Sequence, residues 1–135
     1  MVTETTDRSV LGQNRDFEFF LHGLKVKQLL VQKCTGCATL RNPPGPACSV
    51  CHSLDWKPFA LSGAGTVYSH TVHYHPPLPE FAVPHPIILA TMTEGIRMLG
   101  AADGTAPEKI TIGAPVVVEF IRRGDRDSFR FRLPG

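Results

Sequence analysis

Cys34, Cys37, Cys48 and Cys51 are the only cysteines in the chain, and they form two Cys-x-x-Cys pairs inside eighteen residues. A Cys-x-x-Cys turn presents two thiolates from one knuckle, and two facing knuckles complete the tetrahedron of soft ligands that zinc prefers. A secreted disulfide scaffold would spread its cysteines along the chain, so metal binding explains their confinement better than local disulfides or free thiols. The spacing therefore predicts a structural zinc ion held by all four thiolates. A closed shell of this kind leaves no coordination position for a substrate. Its work is to fold a segment too small to own a core. Iron in a rubredoxin centre uses the same ligands, which leaves an electron carrier as an alternative. The short spacer of ten residues favours zinc.

The remaining reactive side chains are less organised. His73 and His75 share one face of a predicted strand, with His70 beside them and His85 beyond a proline-rich stretch. No acidic residue is interleaved with His70, His73 and His75, so surface histidines beside Tyr74 are the better reading than a second metal site. Ser62-Gly-Ala-Gly-Thr66 resembles a phosphate loop but lacks the Lys-Ser/Thr pair and leads into a strand pattern, so it reads as a turn. No Gly-x-Ser-x-Gly elbow is present, no cysteine is left over as a nucleophile, and the acidic residues are scattered. The chain does not read as a self-sufficient enzyme. Arg122, Arg123, Arg126, Arg130 and Arg132 form a basic cluster interrupted by Asp125 and Asp127. It reads as a solvated hairpin, or else as a set of phosphate ligands.

The 135 residues, 42% of them hydrophobic, suffice for a small module joined to a barrel-sized one. A net charge of +2 is weak for a dedicated nucleic-acid binder. No apolar run approaches the roughly 20 residues needed to span a bilayer, and residues 1–13 lack the apolar core of a secretory signal. The expectation is a cytoplasmic protein with neither membrane nor nucleic acid as a partner.

These features must be positioned by a mostly β fold. Residues 1–13 read as a polar arm and 14–27 as a short helix. Asn14 is a candidate cap and Gly23 a candidate stop, with Phe17, Phe20, Leu21 and Leu24 as an apolar stripe. Too short to stand alone, the helix must dock on the barrel or on a partner. Residues 28–60 form the ribbon, with a strand over Gln28–Lys33 and Arg41-Asn-Pro-Pro-Gly-Pro46 as the loop between knuckles. Residues 61–135 carry five strand patterns, Thr66–His75, Ile87–Thr93, Ile96–Ala101, Val116–Arg122 and Ser128–Arg132. Turns fall at Glu94-Gly95 and Gly124-Asp125. Five short strands without a strong helix predict a closed OB-fold barrel. Five of the twelve prolines lie in residues 76–86, which predicts a stiff loop between the first two barrel strands. A ribbon plus an OB-fold also suits single-stranded nucleic acid, but Tyr68 and Tyr74 lie among histidines and prolines rather than basic residues.

Helix, four-cysteine ribbon and five-stranded barrel, in that order, resemble the zinc-ribbon/OB-fold, acyl-CoA-associated family once called domain of unknown function thirty-five. The matching stretches are Gln32-Lys-Cys-Thr-Gly-Cys37, Arg41-Asn-Pro-Pro44, Cys48-Ser-Val-Cys51 and Ser62-Gly-Ala-Gly-Thr-Val-Tyr-Ser69, followed by Pro76-Pro-Leu-Pro79, Glu94-Gly-Ile-Arg97 and Ile112-Gly-Ala-Pro115. Ala38 and His52 depart from it, since the residue after each knuckle is often glycine in the family. The resemblance implies a non-catalytic subunit that binds and stabilises a thiolase-like enzyme, such as an aldolase acting on steroid side chains carried on CoA. It implies a heterotetramer and a CoA thioester ligand shared with the partner. Phe17, Phe20, Leu21, Pro76, Pro77, Pro79 and Phe81 are the expected partner contacts, and Arg41, His73, His75 and Arg97 the expected acyl-CoA contacts.

Overall fold

The computed structural model describes residues 17–77, 79 and 81–134. The chain divides into two compact units, one ending at Ala60 and the other beginning at Leu61. No helix among the described residues is long and apolar enough to cross a membrane.

In the first unit, helix α1 spans Glu18–Lys25, and Phe17 precedes it without a side-chain capping bond. Asn14, the expected cap, and the arm over residues 1–13 lie outside the described residues. Phe20, Gly23 and Leu24 are the buried positions of α1. Phe20 stacks near Phe17 with ring centroids 4.9 Å apart, and Phe19 meets Trp56 at 4.7 Å. The helix packs against the first strand of its own unit, with Phe20 and Leu24 buried and Phe17 and Leu21 left half-exposed. Gly23 is not the helix stop. A Cβ on it would sit 2.8 Å from Leu30 side-chain carbons, so its smallness lets α1 approach the first strand. The helix ends instead in a Schellman motif, in which the Gln28 amide donates to Gly23 O at 2.9 Å and the Lys27 amide to Leu24 O at 3.2 Å. Lys27 takes the left-handed conformation, φ 59°, that such an ending requires.

Strand β1 (Leu30–Cys34) lies between β2 (Leu40–Arg41) and β3 (Trp56–Ala60) in an antiparallel sheet of order β2-β1-β3. It starts two residues later than the expected Gln28, whose amide is used in closing the helix. β3 carries Pro58 opposite Gln32, which an edge strand tolerates because proline's missing donor can face away from the ladder.

The second unit contains β4 (Ala64–His73), β5 (His85–Met92), β6 (Arg97–Ala101), β7 (Pro115–Arg123) and β8 (Arg126–Arg132), with order β6-β5-β4-β7-β8. Alternation in β5 sends Ile88, Ala90 and Met92 inward, where they pack with Val67, Met98, Val116 and Phe131. The β4–β5 register skips one residue between Val67 and Ser69, so Tyr68 is an extra residue at a bulge. The two outer strands, β6 and β8, come together at Gly100, where a Cβ would lie 2.8 Å from ring carbons of Phe129 and Phe131. The sheet thereby nearly closes into the expected five-stranded OB-fold barrel. The Glu94-Gly95 turn is made by Gly95 at φ 91° with the Met92 amide donating to Ile96 O at 2.8 Å. The proline-rich connection keeps its expected length but is shifted two residues towards the N-terminus, to 74–84, because β4 ends at His73 and His85 and Pro86 already pair with His73 and Val72 as the first residues of β5.

Candidate metal centre

Each knuckle repeats the same turn. The Cys34 amide donates to Thr39 O and the Ala38 amide to Cys34 O, both at 2.9 Å. In the second knuckle the Cys48 amide donates to Ser53 O and the His52 amide to Cys48 O, again at 2.9 Å. Amides inside each turn aim at the first sulfur: Gly36 N–H at Cys34 Sγ (3.3 Å), and Val50 and Cys51 N–H at Cys48 Sγ (3.4 and 3.5 Å). Closing each turn puts the following residue in left-handed backbone, Ala38 at φ 67° and His52 at φ 64°. These are the two positions at which the sequence departs from the family's glycine.

The four sulfurs lie within 4.8 Å of one another. Two pairs run between knuckles, Cys34–Cys51 at 3.5 Å and Cys37–Cys48 at 3.6 Å. Disulfides would need about 2.05 Å, whereas a tetrahedral ion with bonds of about 2.3 Å spaces its sulfurs by about 3.8 Å. Cys34 and Cys48 are buried, Cys37 and Cys51 exposed. The Cys51 and Val50 amides draw the Cys48 thiol down to about 6, and the Cys37 amide, with that of Gly36, holds Cys34 below its ordinary value. Although the Ser53 amide favours the Cys51 thiolate, the sulfurs of Cys34, Cys37 and Cys48 push it up to about 12. Four thiolates this close cannot all ionise without a cation among them. Donor set and spacing thus fit a structural zinc ion.

The other candidate residues are scattered among different tasks. Arg41 is committed within the ribbon, donating from Nε to Gln32 Oε1 at 2.6 Å and from Nη2 to Gly45 O at 3.3 Å. Gln32 itself is fully buried and was not legible as a site residue, since a lone glutamine in a strand carries no spacing signal. His73 bonds through Nε2 to Pro76 O at 2.6 Å, and His75 is exposed. His85 is buried under Phe81, ring centroids 4.0 Å apart, and burial holds its pKa below the usual histidine value. The described residues hold no metal-ligating cluster of histidines; the four cysteines are the one such group among them. Phe81 is half-buried rather than freely projecting, with the Arg123 guanidinium 4.6 Å from its ring. Phe20 is buried in its own unit and drops out of the partner-contact set. Phe17 and Leu21 stay half-exposed, and Pro76, Pro77 and Pro79 are exposed. Three of the five clustered arginines are paired with carboxylates: Arg122 with Asp127, Arg123 with Asp103, and Arg130 with Glu119 and Asp103. Arg97 lies over the exposed ring of Tyr68, 3.7 Å from its centroid, on the outer surface of the barrel.

Two family models match successive stretches. Residues 22–57 fit "ChsH2, rubredoxin-like zinc ribbon domain", and residues 59–120 fit "ChsH2, C-terminal OB-fold domain". A "DUF35 domain-containing scaffold protein" of Pyrococcus furiosus is 31% identical over 112 residues, which cover 81% of this chain and 82% of the relative. The chain belongs to the DUF35 family. This DUF35 chain is also similar to a "Probable enoyl-CoA hydratase alpha subunit" of Thermomonospora curvata, at 44% identity over 108 residues, 80% of this chain. A "3-oxo-4,17-pregnadiene-20-carboxyl-CoA hydratase alpha subunit" of Mycobacterium tuberculosis is 39% identical over 110 residues, 82% of this chain. The chain spans about a third of the length of those two hydratase subunits, 34% and 35%. Among solved structures, the "Ltp2-ChsH2(DUF35) aldolase" superposes with a TM-score of 0.84 and 41% identity, covering 89% of this chain and 95% of that one.

Proposed function

We propose that this DUF35 chain is the non-catalytic subunit of a thiolase-like enzyme that cleaves a carbon–carbon bond in a CoA thioester, by retro-aldol release of a steroid side chain. The observation that carries this reading is the near full-length likeness to the DUF35 chain of the Ltp2-ChsH2(DUF35) aldolase. The name of the mycobacterial relative, which specifies a steroid carboxyl-CoA, supports the substrate class. The chemistry of the site supports a helper role. Every cysteine is in the metal cluster, and in the barrel Arg123 is paired with Asp103 and Arg130 with Glu119. A closed thiolate shell offers no Lewis-acid position. In this reading the exposed prolines 76, 77 and 79, with Phe17 and Leu21, contact the partner. A proline-stiffened loop loses little entropy on docking. Phe81, stacked on His85, holds that loop in place from beneath. Arg97 and His75 are the surface groups suited to meeting the CoA thioester at the shared boundary.

The reading is tested by co-expressing the chain with a thiolase-like protein from the same source and resolving the product by size-exclusion chromatography. Co-elution as a heterotetramer is expected. Separate elution of two stable proteins at micromolar concentration contradicts the proposal.

A further inference from the structure

We propose that Gln32 is the positioning residue of the metal centre, its buried carboxamide clamping the segment between the knuckles at Gly45 and thereby setting how tightly the cysteines retain their metal. This inference is independent of the partner. Gln32 Oε1 accepts two hydrogen bonds, from Arg41 Nε at 2.6 Å and from the Gly45 amide at 2.9 Å. Arg41 Nη2 closes the cycle by donating to Gly45 O at 3.3 Å. Both backbone polar groups of Gly45 are therefore held by two side chains that face each other across the β1–β2 pair, Gln32 opposite Arg41. Gln32 lies two residues before Cys34, and Gly45 lies three before Cys48. The clamp ties the strand that delivers the first knuckle to the segment that delivers the second.

The chemistry of the position argues for selection on this contact. Gln32 is 0% exposed, in a strand whose neighbours Leu30 and Val31 are also buried. Burying a carboxamide is unfavourable unless its hydrogen bonds are made, and here only the oxygen side is satisfied. Gln32 Nε2 and Arg41 Nη1 have no hydrogen-bond partner among the described residues. A core built for packing alone would place an aliphatic residue here. Each knuckle is a closed local turn, so the metal's grip depends on how readily the second turn is found near the first. A clamp that holds the spacer folded raises that local concentration before the metal arrives.

The test is zinc retention by the full chain, measured by competition with a chromophoric chelator, for the parent, Gln32→Met and Gln32→Glu. Methionine keeps the length and loses the acceptor. Glutamate keeps an acceptor for both donors and pairs with Arg41. Gln32→Met should weaken zinc affinity by about tenfold, the effect of leaving buried donors unsatisfied, and speed release to the chelator. Gln32→Glu should hold zinc at least as tightly as the parent. Hydrogen exchange at the Gly45 amide should rise in the methionine variant and stay slow in the glutamate variant, with the amide of Ile88 in the barrel unchanged in both. Parent-like zinc affinity in Gln32→Met overturns the proposal. If Gln32→Met fails to bind metal at all, the glutamate variant decides: rescue supports the clamp, and failure overturns it.

Discussion

In the barrel, Val67, Ile88, Met92, Val116 and Phe131 fill an interior that nearly closes on itself at Gly100. In the ribbon, three strands of five, two and five residues have a single short helix for cover, and beyond Arg41 the chain runs through loop and knuckle to Trp56 without a strand. The barrel is organised by non-directional burial and tolerates its loops. Beyond its sheet, the ribbon depends on directional contacts: four sulfurs, the repeated amide–sulfur bonds, and the Gln32–Arg41–Gly45 cycle. A region held by apolar packing fails when its volume is disturbed, and a region held by coordination fails when one ligand is lost.

That difference predicts separable failures. The largest effect is expected from Cys48→Ser. Structural zinc contributes on the order of 10 kcal/mol to domains of this kind, so the variant should lose its metal by elemental analysis and its slow-exchanging ribbon amides. The barrel's amides should remain protected. Loss of protection in both units together would show that the barrel also depends on the metal. In the barrel the corresponding lesion is Gly65→Ala, whose Cβ would come 2.6 Å from Thr91 O in the neighbouring backbone. A destabilisation of about 3 kcal/mol is expected by urea denaturation, with metal content unchanged.

Acid sharpens the contrast further. His85 is buried beneath Phe81, and desolvation lowers its pKa from 6.5, opposed by Asp103 and reinforced by Arg123 and His73. The unfolded chain therefore takes up the proton first. The stability contribution is full above pH 6.5 and is lost as pH falls from there through the lower folded-state value. A pH series of barrel denaturation should show this slope, and His85→Phe should flatten it below about pH 6.5. The smallest effect concerns the strained knuckle turns. Ala38→Gly and His52→Gly should each raise the melting temperature of the metal-loaded ribbon, relieving about 1 kcal/mol of left-handed backbone strain. An unchanged or lowered melting temperature would mean the turns are not strained.

The sequence exposed best what depends on type and spacing. Paired Cys-x-x-Cys motifs announce the metal centre before any fold is known, and period-two alternation announces β5, with Ile88, Ala90 and Met92 on one face. Contacts that depend on three-dimensional approach were less legible. Gly23 looks like a helix stop because glycine favours left-handed backbone, yet its use is proximity to Leu30, and Lys27 takes the left-handed position instead. Phe20 belongs to a stripe whose target cannot be read from periodicity, and the target is the ribbon itself. Phe81 in a proline-rich stretch reads as exposed, but a register that places His85 at the start of β5 puts an aromatic ring beneath it. Pro58 conceals β3, because proline argues against a strand unless that strand is known to be an edge.

In the proposed function this chain serves another subunit's chemistry. The direct measurement is retro-aldol turnover of a steroid side-chain CoA thioester by the purified thiolase-like partner, as this chain is titrated in. Turnover should be absent with either protein alone and should rise to a plateau when the two are equimolar. Cleavage by this chain alone, or full activity of a soluble partner without it, would contradict the account.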